Sequence, residues 1–344
     1  MKAVIVKEHG GVDKLKFEDA PKPKIKADEI LLDVKAVGIN HLDIWVRAGV
    51  PGHKFPLPMI PGTDIAGVVA EVGNLVTNAK VGDRVAVMPG FADPLSDAAL
   101  SGNDQLARDY GIFGETRNGG CAEFLDVPAR NLLPMPASMS FTDAAACPLV
   151  FLTAWTMLKK AGVKAGETVL MHAAGSGVTS AGIQLAKLIG ATVIATASTE
   201  AKLNKARALG ADALINYSKA TWADDVKGLT GKQGVDVVFD HVGPATFEGD
   251  MKAIKWGGRY VTCGSTTGAE VSLNLRALFF KRISLIGTTM GPKADQLEVW
   301  KLICNGKVKP VVDRVFAMRE IAKAHAHVES REAFGKVILD ATQW

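Results

Sequence analysis

Over the first 145 residues the apolar positions come in short runs that alternate with polar ones and are broken by Gly and Pro. Examples are KAVIVKE (2–8), EILLDVKAVGIN (29–40), DIAGVVAEVG (64–73), VGDRVAVM (81–88) and AEFLDVP (122–128). Alternation of period two over such short stretches predicts half-buried strands in an irregular, mostly antiparallel β domain. Near residue 140 the rhythm changes. Residues 140–162 read as one helical stretch that Ser140 can cap. Apolar runs such as ETVLMHAA (167–174), TVIATAS (192–198), ALINY (213–217), VDVVFDHVG (235–243), GRYVTCGS (258–265) and ISLIGTT (283–289) then alternate with amphipathic helical segments. That pattern predicts βαβ units on a parallel sheet buried on both faces. After residue 290 come a helix, a strand, a helix and a final strand GKVILD (335–340), with too little core to stand alone. The expected organisation is a β domain over 1–145, completed by 290–344, and an α/β domain over 146–289. A chain of 344 residues is long enough for two, since single cores stop growing near roughly 250–300 residues.

Composition narrows the partners. The formal net charge is +4, and the basic residues are scattered, which argues against nucleic acid or an anionic membrane. No apolar run reaches the roughly 18 residues that span a bilayer, and the N-terminus lacks an apolar signal core, so a cytoplasmic location is expected. Cys121, Cys147, Cys263 and Cys304 include no C-x-x-C pair and read as small buried apolar residues, not a zinc site or a disulfide framework.

The strongest chemical signal is at 170–190. A strand runs into AAGSGVTSAG and then a helix, the context in which backbone N–H groups and a helix N-terminus hold a pyrophosphate. At the end of the next strand, where an acid would select NAD, stands Ala197, followed by Ser198, Thr199 and Lys202. Hydroxyls and an ammonium suit a 2′-phosphate, which favours NADP over NAD, although Glu200 is nearby.

The order of an irregular β domain, a six-strand nucleotide domain and a returning tail resembles the medium-chain dehydrogenase/reductase superfamily. So do KAVGINHLDIWVRAG (35–49), PGTDIAGVVAEVG (61–73), VGDRV (81–85), GGCAEF (119–124) and LTAWTML (152–158). The resemblance implies a GroES-like β domain and a Rossmann doubly wound, six-stranded parallel sheet. It implies cofactor contacts at His41, Thr153, Ser176, Gly177, Val178, Thr179, Ser198, Lys202, Tyr217, Val242, Gly243, Gly264, Ser265 and Lys336. Thr179 stands where the family has a third glycine.

The chain departs from the zinc members at each metal position. The family's catalytic cysteine, histidine and second cysteine correspond to Asn40, Thr63 and Leu149, its assisting acid survives as Asp64, and its hydroxyl relay is Leu42. Asn, Thr and Leu cannot supply the N and S ligands zinc takes. The segment 89–111 keeps the C-x2-C-x2-C-x7-C spacing of the family's structural zinc lobe with Asp93, Ser96, Ala99 and Ala107 in the four places. Without metal this lobe must be mobile or held by packing of Leu95, Leu100, Leu106 and Tyr110.

What remains is a zinc-free NADPH-dependent oxidoreductase. Hydride delivery to the β-carbon of an enal, enone, enoyl thioester or quinone asks only for a hydrogen-bond donor to the developing enolate. Asn40 is assigned that role, with Thr63 a second donor and Asp64 an orienting group. Asn40, Asp43, Arg47 and Gly49 match the N-x-x-D-x-x-x-R-x-G string of zinc-free quinone and enoyl reductases. The alternatives are a zinc-free carbonyl reductase or alcohol dehydrogenase, for which Tyr110, Tyr217 and Tyr260 are the available acids, and a non-catalytic NADP-binding protein. The expected substrate is a small apolar carbonyl compound or quinone, with Trp45, Phe55, Leu149 and Phe279 as apolar walls. Edge strand 282–290 suggests a homodimer or homotetramer.

Overall fold

The structure is a computed structural model that describes residues 1–344. The chain divides into two compact units, Met1–Leu149 with Pro292–Trp344, and Val150–Gly291.

The first unit is built on a seven-stranded sheet. Its order is Val312–Ala317, Lys336–Asp340, Glu29–Ile39, Asp64–Val72, Arg84–Val87 and Leu132–Pro134, with Phe124–Pro128 also paired to Glu29–Ile39. All pairings are antiparallel except that of the two C-terminal strands. The tail thus docks by strand addition to the long central strand. The core beneath is aliphatic, with Ile30, Leu32, Val37, Ile65, Leu125 and Leu339 fully buried or nearly so.

The second unit is a six-stranded parallel sheet. Its order is Ala213–Asn216, Thr192–Ala197, Thr168–Met171, Val235–Asp240, Ile254–Thr262 and Ser284–Gly287. The sequence order reverses between the strands that start at Thr168 and Val235, the doubly wound arrangement in which ligands bind at the carboxyl ends of the strands. Ser284–Gly287 is the edge strand.

Two local outcomes differ from expectation. The helical stretch 140–162 is two helices, Phe141–Ala145 and Pro148–Lys160. Pro148 has no N–H for a continuous ladder and disfavours helical backbone at Cys147, but it is tolerated as the first residue of the next helix. Ser140 does cap the first, its hydroxyl accepting from Asp143 N at 3.0 Å. The lobe at 89–111 is not held by its leucines. Leu95, Leu100 and Leu106 are 75%, 69% and 66% exposed. Polar contacts define it instead. Asp109 accepts from Asp93 N (2.7 Å), the Asp93 carboxylate accepts from Leu95 N (2.9 Å), and Ser96 caps the short helix Asp97–Leu100. Asp104 accepts from Lys293 N (2.9 Å), and strand Gly90–Phe91 pairs with Gly111–Ile112. The lobe's apolar anchor is Phe91 against the buried Phe113, rings 5.2 Å apart.

Candidate active site

Strand register assembles the candidate site in the first unit. Val337 lies opposite Ile39, and Gly38 lies opposite Asp64. Lys336 and Asp64 therefore arrive beside Asn40, where the central strand ends and helix His41–Ala48 begins. Gly38 also lets helix Phe141–Ala145 pack close to this strand, since a Cβ there would lie 2.1 Å from the Ala145 carbonyl oxygen.

Lys336 Nζ donates to the carbonyl of Ile39 (2.8 Å), to Asn40 Oδ1 (2.5 Å) and to Asp64 Oδ2 (2.9 Å). Those three bonds use every proton of the ammonium. Asn40 Nδ2 donates to the same Asp64 Oδ2 (3.0 Å), while Asp64 Oδ1 accepts from Leu149 N (2.7 Å). The second Nδ2 proton has only the Gly38 carbonyl, at 3.5 Å, the outer limit of a hydrogen bond. Asn40, Asp64 and Lys336 are all buried. Removing one partner of such an ion pair strands the other, at a cost of about 3–5 kcal/mol.

Asp43 supports this group from below. It sits at the third position of helix His41–Ala48, and its carboxylate accepts from Asn40 N (2.7 Å), Gly62 N (2.8 Å) and the Thr63 hydroxyl (3.3 Å). Burial raises its pKa to about 6, despite the two backbone donors that favour the carboxylate. Arg47, on the same helix, makes a two-point pair with Glu329 at 3.0 and 2.6 Å and so fastens the helix to Ile321–Glu329. His325 is buried beside that pair. Burial and Arg47 lower its pKa to about 3, so it is neutral.

Two of the expected site residues have defined partners within the chain. Thr63 is fully buried and gives its hydroxyl proton to Asp43. The same Asp43 carboxylate accepts from Asn40 N, so Thr63 is linked to Asn40 through Asp43. Lys336, expected at a cofactor phosphate, spends its charge on Asn40 and Asp64. His41 is exposed at the helix start. Of the expected apolar walls in this unit, Phe55 instead packs into a small cluster with Val46 and Met59.

In the second unit, strand Thr168–Met171 leads through a tight turn, with Ala173 at φ 51°, into helix Gly177–Ile189. Ser176 caps that helix, its hydroxyl accepting from Val178 N (3.2 Å). Ser176, Gly177 and Val178 are partly exposed at the start of a 13-residue helix, where backbone N–H groups lack intrahelical acceptors. Thr179 is different. It is fully buried, and its hydroxyl donates to the His172 carbonyl (2.7 Å) and bonds His241 Nε2 (2.9 Å). Side chains in a first helical turn lean back toward the N-terminus, which brings the Thr179 hydroxyl to the end of the preceding strand.

Asp240 shapes the neighbouring loop. It accepts from Val242 N (3.0 Å), Gly243 N (2.9 Å), Thr246 Oγ1 (3.2 Å) and the Tyr260 hydroxyl (2.8 Å). Gly243 has φ 86°, which favours glycine. His172 is buried, bonded to Asp250 Oδ1 (2.6 Å) and Thr196 Oγ1 (2.9 Å), with its ring edge-on to Trp222. Ligand atoms of His172, Asp240 and Asp250 lie within 4.8 Å of one another. The 2.6 Å His172–Asp250 separation is a hydrogen bond, shorter than the roughly 3.3 Å between neighbouring ligands of a tetrahedral zinc, and Asp240 is already satisfied.

Ser198 is exposed and Lys202 half-buried after strand Thr192–Ala197, where the Thr199 hydroxyl caps helix Glu200–Ala208. Tyr217 and Gly264 are half-buried and Ser265 is exposed. Thr153 is 4% exposed, and its hydroxyl has no partner. An orphaned buried hydroxyl costs about 1–3 kcal/mol unless a ligand satisfies it. With the open helix N-terminus it fits a dinucleotide cofactor. Zinc is implied for many proteins of this architecture, and here the residues do not fit it. An ammonium bonds both Asn40 and Asp64, and no thiolate or imidazole bonds either of them.

Comparison with known proteins gives the class. The sequence matches the alcohol dehydrogenase GroES-like domain over residues 26–137 and the zinc-binding dehydrogenase family over 177–305. The chain belongs to the medium-chain dehydrogenase/reductase superfamily, whose members are oxidoreductases using a nicotinamide cofactor. Among individual relatives, it is 34% identical to the 2-methylene-furan-3-one reductase of Solanum lycopersicum, over 98% of this chain and 79% of that protein. It is 36% identical to the chloroplastic NADPH-dependent alkenal/one oxidoreductase of Arabidopsis thaliana, with the same coverage. A crystal structure of an NAD-dependent alcohol dehydrogenase superposes with a TM-score of 0.96 at 43% identity, over 99% of both chains. No helix is long and apolar enough to cross a membrane.

Proposed function

We propose that this chain is a zinc-independent reductase that takes hydride from NADPH and adds it to the β-carbon of an activated double bond, in an enal, enone, enoyl thioester or quinone. The observation that carries the reading is the Asn40 amide. One Nδ2 proton is fixed on Asp64 and the other is nearly free, in a buried setting neutralised by Lys336. A neutral donor of this kind suits an enolate oxygen, whose charge develops only as hydride arrives. The bound nicotinamide supplies the hydride. Asn40 orients the substrate oxygen and stabilises its negative charge, and the α-carbon proton can come from solvent. Two relatives named for reduction of a methylene-furanone and of alkenals and alkenones support the same chemistry.

Ser198 and Lys202, with no carboxylate at Ala197, support NADPH over NADH. The N-terminal turn of helix Gly177–Ile189 would hold the pyrophosphate, and Thr153 would meet the nicotinamide end.

The second reading, reduction of an isolated carbonyl, is favoured by the alcohol dehydrogenase structure at 43% identity. That chemistry needs a strong acid in place of the metal. Burial pushes the Tyr110 and Tyr260 phenols well above their ordinary range, and Tyr260 already donates to Asp240. A panel of enals, enones, acryloyl thioesters, quinones and saturated aldehydes, assayed for NADPH oxidation, separates the two. The conjugated acceptors should be consumed; turnover confined to saturated aldehydes would reverse the choice.

A further inference from the structure

We propose that Lys336 is a positioning residue that locks the Asn40 amide in its donating orientation, and that it does not bind cofactor phosphate. This rests on the role of Asn40 given above. An amide can be built two ways, with its oxygen and nitrogen exchanged. Here the choice is forced. The ammonium of Lys336 has only protons to offer and faces Oδ1 at 2.5 Å, while the Asp64 carboxylate only accepts and faces Nδ2 at 3.0 Å. Turning the amide over would set Nδ2 against the ammonium and Oδ1 against the carboxylate, losing both bonds.

The same ammonium donates to Asp64 Oδ2 and to the Ile39 carbonyl, so it fixes the carboxylate and the backbone that carry the amide. A cation drawing on Oδ1 also polarises the amide and strengthens the remaining Nδ2 donor. Lys336 is 4% exposed and has no proton left over. Its bond to Asn40 joins residues 296 apart in sequence.

The test uses the full-length protein with K336M, K336R and the double variant K336M/D64N. The double variant removes both charges of the buried pair and covers the case in which K336M alone fails to fold. NADPH affinity is measured by fluorescence titration. Turnover is measured on the best conjugated acceptor of the panel. The Asn40 side-chain amide is followed in protein labelled with 15N-asparagine, its signal assigned by its disappearance in N40A.

The expected result is that K336M or the double variant loses about 100-fold in kcat, the scale of one oxyanion donor. NADPH affinity should stay within about threefold, because Lys336 acts through Asn40 and not on the cofactor. The Asn40 amide signals should shift and exchange faster, and K336R should recover much of the rate. The proposal is overturned if K336M weakens NADPH binding tenfold or more with kcat at saturation unchanged, or if the Asn40 signals do not move in the double variant. Should the wild-type protein consume no acceptor at all, the reductase reading fails alone, and the amide signals still decide whether Lys336 positions Asn40.

Discussion

Asn40 has two independent demands on it: its backbone N–H is held by Asp43, and its side chain lies between Lys336 and Asp64. Replacing it with alanine removes the one donor with a spare proton. N40A is expected to lower kcat on a conjugated acceptor by about 10²–10³-fold with NADPH affinity intact, which steady-state kinetics and nucleotide titration will check. Asp43 gives a pH prediction. Its pKa is about 6 in the folded protein against an ordinary 3.8, so the native state prefers the protonated form. Its favourable contribution is therefore fully present below about pH 3.8 and lost as pH rises through about 6, a change on the order of 2–3 kcal/mol. Denaturant midpoints between pH 4 and 7.5 should show this slope in the wild type and lack it in D43N. Asn40 and Asp64 could be read from the sequence because they lie within local strings that have a recognisable register. Lys336 was read as a phosphate contact because the pairing of strand Lys336–Asp340 with Glu29–Ile39 is not visible in local pattern. The bond from the Thr63 hydroxyl to Asp43 joins residues 20 apart, which local pattern does not show either.

At the level of elements, period and punctuation predicted the strands and the βα alternation, and Ser140 marked a helix start. The break at Pro148 was a local signal that a continuous apolar pattern outweighed. The lobe at 89–111 is the larger lesson. Its leucines suggested packing, but short helices and carboxylate–backbone bonds satisfy this segment while the leucines face solvent. Leu95→Ser, Leu100→Ser and Leu106→Ser are each expected to change unfolding free energy by no more than about 0.5 kcal/mol. Phe113→Ala, which empties a fully buried site, should cost about 3–5 kcal/mol by the same chemical denaturation. Polar satisfaction of a loop depends on which backbone groups come into reach, and no hydrophobic pattern encodes that.

At the scale of the molecule, the doubly wound sheet leaves Ser284–Gly287 as an open edge, with Leu275, Phe279 and Phe280 exposed nearby in sequence and the two phenylalanines stacked. We infer that this face joins a second copy of the chain. Sedimentation should show a dimer or tetramer for the wild type and a smaller species for F279E/F280E; a wild-type monomer would remove the inference. The family relation fixes a nicotinamide-dependent oxidoreductase, while Asn40, Asp64 and Lys336 argue for chemistry without a metal. The most direct measurement combines both points. Protein treated with a chelator and dialysed is given NADPH carrying deuterium at the transferable position and a conjugated enone. The expected result is an undiminished rate and a saturated ketone with deuterium on the β-carbon; deuterium on the carbonyl carbon of an allylic alcohol, or a rate lost to the chelator and restored by zinc, would contradict it.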